Sequence, residues 1–314
     1  MVKTPYFELI ANGQDKSVQI AKNLVSISFK DEANSKSDEI TIKVAGEFKR
    51  PSYEDEIKLS FGYLDDNEIF NCGLFVVQTT TKDNDNVLSI TATGADFSST
   101  LKEKQNKTFE GVSVGQIVAD IASKNGLKSN TDFDDIYVLS LAQSDESDLH
   151  FLNKLAKQQN AIFNIKNQTL VFKKKIKEAK KNDTLPIYTI NKKDTLSLSI
   201  KHSSKTYYNS CKAIWQDTKL NEIRELLCGS GDPCLNYRGT FKDDADAKLK
   251  ADAKLQQANQ GIICGSLSVE GGAYYAGGIL NLVGTLEDDG EYQITSINHT
   301  YNNNGWSCKI EFEK

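Results

Sequence analysis

The sequence predicts a mainly β protein in which two related β-barrel domains flank a small α+β module. Three observations carry that expectation. Short β-rich runs separated by Asp, Asn, Gly and Lys turns fill both ends of the chain. Between them lie two stretches whose apolar residues recur at helical spacing. The β-rich ends also repeat one another's frame. The boundaries that follow are residues 1–105 for the first barrel, 106–178 for the module with two helices and a hairpin, and 179–314 for the second barrel with one inserted helix.

The first barrel is read from six runs: Phe7 to Ile10, Leu24 to Phe29, Glu39 to Val44, Glu56 to Tyr63, Leu74 to Thr79 and Val87 to Thr93. Ile40-Thr-Ile-Lys-Val44 alternates apolar and polar residues, as a strand with one buried face does.

The module begins near residue 108. Ser113 and Gln116 have the spacing of a capping box, in which each side chain satisfies an unpaired amide of the first helical turn. Val114, Ile117, Val118, Ile121 and Ala122 then form an apolar stripe, and Gly126 suits the left-handed residue that ends a helix. The second helix starts in Ser144 to Asp148, with Ser144 and Ser147 both able to cap it, and carries Leu149, Leu152, Leu155 and Ala156 on one face. Asn160 ends it, Asn being the next-best residue to Gly for that backbone. Ala161 to Ile165 and Gln168 to Phe172 read as a hairpin around a Lys-Asn turn.

Strands resume near residue 180, interrupted between Asp243 and Gln260. There Ala245, Ala247, Leu249, Ala251, Ala253 and Leu255 alternate as in a strand, yet Ala, Lys, Leu and Gln are strong helix formers. Helix is the reading that composition favours. The repeat shows in the frames Tyr53 to Gly62 and Tyr275 to Gly284. They are followed by Gly73-Leu-Phe75-Val-Val77 and Gly290-Glu-Tyr292-Gln-Ile294, then by polar turns at Asp83 to Asn86 and Asn302 to Gly305. Acidic pairs or triplets, Asp65-Asp66 and Glu287-Asp288-Asp289, occupy matching places.

A net charge of −5, with 39% hydrophobic and 26% charged residues, describes a globular chain without the basic footprint of specific nucleic-acid binding. No apolar window is long enough to insert in a membrane, and the N-terminus lacks the pattern of a signal peptide. Six cysteines are too sparse for a disulfide framework. The turn Cys228-Gly-Ser-Gly-Asp-Pro-Cys234 leaves a disulfide open, but two thiols flanking a loop is the simpler reading.

Three histidines are present, His150, His202 and His299. Glu146 and His150 have the i,i+4 spacing of helix-borne metal ligands, but no second His or Cys joins them. Gly229-Ser-Gly231 lacks the Lys-Ser/Thr ending of a phosphate loop. No catalytic, cofactor or metal constellation is therefore expected. Trp215 and Trp306 read as core or subunit-contact residues.

Gln143-Ser-Asp-Glu146-Ser147-Asp148-Leu-His-Phe151-Leu152-Asn-Lys-Leu155-Ala156 resembles the E-S-D-x-x-F-L-x-x-L-A signature of phage late control gene D proteins, shared with the hub portion of VgrG proteins. Weaker matches extend the resemblance almost end to end: Phe61-Gly-Tyr63, Gly73 to Val76, Thr91 to Asp96, Phe109 to Val114, Arg238 with Phe241, and Tyr292 to His299. The family usually has Gly where this chain has Asn160. The resemblance implies a structural, non-enzymatic baseplate hub of a contractile phage-type tail. Three copies of two barrels would make a pseudo-sixfold ring between a hexameric tail tube protein and a trimeric spike protein, with the tape measure protein as a further partner. It implies assembly in the bacterial cytoplasm and a final place in the tail of a virion or tail-like particle. VgrG chains continue into a spike, whereas this sequence ends at Lys314, so the spike is expected as a separate protein. The alternatives are the hub of a related injection machine (a tailocin or type VI-like system) and a carbohydrate-binding β-protein.

Overall fold

The computed structural model describes residues 3–33, 37–66, 69–94, 99–166, 168–174, 185–203, 207–217, 221–259 and 261–314. The expected Lys166-Asn167 turn and the 178/179 boundary lie wholly or partly outside the described residues and side chains. The first stretch holds β1 (Pro5–Ala11), β2 (Gln14–Asp15), α1 (Ser17–Ala21), β3 (Leu24–Glu32), β4 (Glu39–Ala45), β5 (Glu56–Tyr63), β6 (Ile69–Lys82), β7 (Val87–Gly94) and α2 (Ser99–Lys102). Each expected run is a strand. Their alternation sets the buried face: Ile40, Ile42 and Val44 of β4 and Ile57, Leu59 and Phe61 of β5 all point into one core.

The module comprises β8 (Lys104–Ser113), α3 (Val114–Lys124), β9 (Lys128–Thr131), β10 (Tyr137–Ser147), α4 (Asp148–Gln158), β11 (Ala161–Lys166) and β12 (Thr169–Lys174). Ser113 caps α3 by accepting from the Gln116 amide at 3.1 Å, but the Gln116 side chain donates to Asp120, so only half of the expected box forms. Gly126 and Asn160 take positive φ (71° and 50°), as expected after each helix. The apolar faces of both helices close on β11 and β12 in a separate core. The two-stranded ribbon of β8 and β10 was not expected. Of its residues only Phe109, Ser113 and Gln143 are buried, and Tyr137 and Leu139 are exposed, so no buried apolar face marks it.

The last stretch holds β13 (Ile187–Asn191), β14 (Ser197–His202), β15 (Ser210–Asp217), β16 (Glu222–Gly229), β17 (Cys234–Arg238), α5 (Asp244–Asn259), β18 (Ile263–Glu270), β19 (Ile279–Val283), β20 (Gly290–Asn302) and β21 (Gly305–Glu313). Of the alternating alanines in α5, Ala247 and Ala251 are fully buried against β15–β17, one helical turn apart, and Leu255 packs beside them.

The strand order β3-β4-β7-β6-β5-β1 recurs as β14-β18-β21-β20-β19-β13. The repetition reaches single residues. A bulge follows Val77 in β6 and Ile294 in β20. Val77 exchanges backbone hydrogen bonds with Glu54 and Asp55, as Ile294 does with Gly277 and Gly278, and Glu54 and Gly277 share positive φ (71° and 84°). The frame read between Gly73 to Val77 and Gly290 to Ile294 therefore holds. The preceding frame shifts by one: strand pairing sets Ile57 against Phe75 and Leu280 against Tyr292, so Ile57 corresponds to Leu280 rather than Ile279. Ile279 and Leu280 are both buried, which hides the register in the sequence. One pairing differs in direction, β1–β5 being antiparallel and β13–β19 parallel.

β20 joins the repeats. Its start pairs with β19 and its end, Ser296 to Asn302, pairs with Glu32 to Ser26 of β3, while β21 runs along its other side. One 13-stranded sheet and one hydrophobic core thus span both ends of the chain. The module docks on this sheet, with Asn164 donating to the Glu32 carbonyl at 2.6 Å and Asn160 to Gln256 of α5 at 2.9 Å.

Candidate functional site

The signature residues meet where β10 turns into α4. Asp145 takes φ 49° at a bulge between Gln143 and Glu146, which re-aims the chain into the helix. Ser147, not Ser144, is the cap and accepts from the His150 amide at 3.2 Å. Asp148 is buried, with three donors on one carboxylate: Lys124 at 2.9 Å, Asn125 at 3.1 Å and Gln143 at 2.9 Å. Phe151, Leu152, Leu155 and Ala156 are all buried, and Phe151 stacks on Phe109 of β8 with ring centroids 5.5 Å apart. Glu146 is bound by Lys154, with His150 at 3.7 Å on an exposed helix face. The signature thus fixes the angle between ribbon and helix. Its partners Lys124, Asn125 and Gln143 were missed because each belongs to another turn or element.

His299 is fully buried among Phe70, Phe29 and Trp306, and its Nδ1 lies 3.1 Å from Cys308 Sγ. Burial pushes the Cys308 thiol up to about 12, so it stays protonated, with the Gly272 carbonyl 3.9 Å from its sulfur on another side. Trp215 and Trp306 are core residues of the inserted unit and the main sheet. Cys228 and Cys234 are free thiols; Cys228 packs across from Cys211 and its thiol lies 3.6 Å from the Lys248 carbonyl. No cluster of metal ligands occurs among the described residues, and no helix there is long and apolar enough to cross a membrane.

The acidic loops do fall in equivalent connections, β5–β6 and β19–β20. Three of their carboxylates are engaged: Asp66 with Lys3 at 3.4 Å, Asp288 with His202 at 2.7 Å, and Asp289 with the Thr285 amide and hydroxyl. The Thr285 hydroxyl is the main reason the Asp289 carboxyl titrates below its ordinary value.

The profile of the phage tail baseplate hub (GPD) family matches residues 75–305, which includes the signature, the module and the junction strand β20. The chain belongs to that family. A probable baseplate hub protein of Escherichia phage P2 is 21% identical over 99% of this chain and 93% of its own length. The corresponding protein of Escherichia phage 186 is 28% identical over 54% of this chain, an alignment that spans 45% of that relative. Among solved structures, the 43 kDa tail protein of prophage MuSo2 from Shewanella oneidensis has a TM-score of 0.73 at 13% identity, with 98% of both chains covered. An Escherichia coli component of the type VI secretion system has a TM-score of 0.56 at 11% identity, over 92% of this chain and 73% of its own. The mainly β hub fold is thus common to phage tail proteins and type VI relatives.

Proposed function

We propose that three copies of this hub form a pseudo-sixfold ring that joins a hexameric tail tube protein to a trimeric spike protein, with the tape measure protein as a further contact. The observation that carries the reading is the internal repeat. Two copies of one strand order in each chain, taken three times, supply six similar docking surfaces on one side and threefold symmetry for the spike. Residues 1–105, 106–178 and 179–314 act as first barrel, module and second barrel, with the signature residues Glu146, Ser147, Asp148, Phe151, Leu152, Leu155 and Ala156 serving the fold of the module. The hub assembles in the bacterial cytoplasm and ends in the tail, and its role is structural rather than catalytic.

A phage-type tail is favoured over a type VI-like machine because the near-full-length curated relative is a phage hub, while the type VI likeness is one of fold. A carbohydrate-binding role would need an aromatic platform. The most exposed tyrosines, Tyr53, Tyr137 and Tyr207, lie in the β4–β5 connection, at the start of β10 and in the β14–β15 connection. The test is co-expression with spike and tube proteins from the same tail, followed by native mass measurement. Three hub chains per spike trimer are expected. A hub that stays monomeric in that mixture overturns the reading.

A further inference from the structure

We propose that Cys211 and Cys228 are a site of oxidative modification: they join as a disulfide once the particle leaves the reducing cytoplasm, and the bond clamps the unit inserted between β14 and β18. The inference goes beyond the hub ring and does not depend on its symmetry.

The strand registers single out this pair. Cys211 of β15 and Cys228 of β16 face each other across an antiparallel ladder, and no other two cysteines among the described residues are paired in this way. Facing residues of such a ladder have Cα atoms about 4.5–5.5 Å apart, inside the span of about 4.4–6.8 Å that disulfides bridge. Both side chains point to the face covered by α5, at 0% and 4% exposure. The same registers separate Cys228 from Cys234, the two thiols that flank the turn. β15 lies between β16 and β17, so those two cysteines are two strand spacings apart, about 9.5 Å, which is too far to bridge. Cys234 also pairs with Ser210, one residue out of step with Cys211, and so points to the opposite face.

The inserted unit has a physical need for a clamp. Its core holds seven buried residues, and two of the seven are these cysteines. Cores this small are commonly reinforced by disulfides. The bond would sit where β16 enters its turn to β17, a turn already tied back by the Ser210 hydroxyl donating to the Gly231 carbonyl at 2.8 Å. By closing the loop from 211 to 228 it would restrict the unfolded chain and hold the edge strand β16 in place.

Until then both groups wait as thiols. Burial, and after it the Asp252 carboxylate of α5, hold the Cys228 thiol up to about 11, and burial raises Cys211 as well. A reducing cytoplasm keeps them so. Outside it, a peroxide supplies the oxidant. Cys228, on the edge strand, reacts first: its sulfur breaks the O–O bond, becomes a sulfenic acid and releases water. The Cys211 sulfur then displaces the sulfenic oxygen, which leaves as a second water with the remaining thiol proton. Two thiols and one hydrogen peroxide thus become one disulfide and two waters.

The full-length protein and its Cys211→Ala, Cys228→Ala and Cys234→Ala variants are incubated, folded, with dilute hydrogen peroxide. They are then unfolded in N-ethylmaleimide and run on non-reducing gels, and the single-chain band is digested with trypsin for mass spectrometry. The peptide holding Cys211 should be bonded to the one holding Cys228 and Cys234, in the parent and in Cys234→Ala but in neither other variant. Parent and Cys234→Ala, which alters only a half-buried residue, decide the pairing even where a core variant fails to fold. The urea midpoint of the parent should rise on oxidation. A bond between Cys228 and Cys234, a link that Cys234→Ala abolishes, fully alkylated thiols, or sulfinic acids in place of the bond overturns the proposal. A linked parent whose midpoint does not rise overturns the clamp. All of these outcomes leave the hub assignment standing.

Discussion

Asp148 Oδ2 lies 2.9 Å from Lys124 Nζ, so the first turn of α4 is held to the last turn of α3 by one buried carboxylate. Each charge also sits at the helix end whose dipole favours it. Removing the carboxylate strands Gln143 and Asn125 as well as Lys124. Asp148→Ala is expected to lower stability by about 3 kcal/mol, in the range for breaking a buried pair. Lys124→Met leaves the buried carboxylate without its countercharge but still held by the Asn125 and Gln143 amides, and Met keeps the packing of the lysine stem, so it should cost less than Asp148→Ala. Urea unfolding of both variants checks the order; equal losses would contradict it.

Leu152 is 0% exposed in the core of the module, whereas Leu149 is only half-buried on the same helix. Leu152→Ala should cost about 2–5 kcal/mol, as large-to-small core changes do, and Leu149→Ala clearly less. Thermal unfolding that leaves Leu152→Ala at the parental midpoint would place the helix face wrongly.

Two glycines should fail for opposite reasons. At Gly271 an added Cβ would stand 2.1 Å from Trp306 Cδ2, so Gly271→Ala must displace a buried ring. At Gly277 the nearest atom is 3.8 Å away and only φ 84° opposes a side chain. Gly277→Ala is therefore expected to cost about 1–2 kcal/mol, with Gly271→Ala costing more. Glu54→Gly, at the equivalent positive φ, should be neutral or stabilising. Denaturation midpoints of the three variants decide the comparison.

Alkaline pH should weaken the fold. Burial raises the Cys308 thiol to about 12, and Tyr63 and Tyr188 to about 12, from ordinary values near 9 and 10. The unfolded chain therefore releases these protons first, and stability present below pH 9 is lost as pH rises towards 12. Cys308→Ala should flatten the slope between pH 9 and 10. Urea midpoints across that interval measure it.

The strands of the first stretch were legible because one face of each is buried, and the module helices because their caps and apolar stripes agree. The repeat was only partly so. Ser26 to Lys30 and Ser197 to Lys201 share one alternation of Ser, apolar and Lys residues, yet the unit of β15–β17 and α5 separates β14 from β18 and breaks the common spacing to the later strands. The register slip at Ile279 came from two adjacent apolar residues that are both buried. Asp148 is legible from the sequence only as part of the helix start and the signature, because Lys124 and Gln143 lie 24 and 5 residues away, on other elements.

The pairing of Ser296–Asn302 with Ser26–Glu32 also has a mechanical consequence. The hydrogen bonds of this ladder run across the strands, so a pull along β20 against β3 loads them together in shear instead of opening them one at a time. Because β21 flanks the same strand on its other side, such a load passes into the second repeat without crossing a loop. This strand therefore makes the chain stiff along the direction in which it runs.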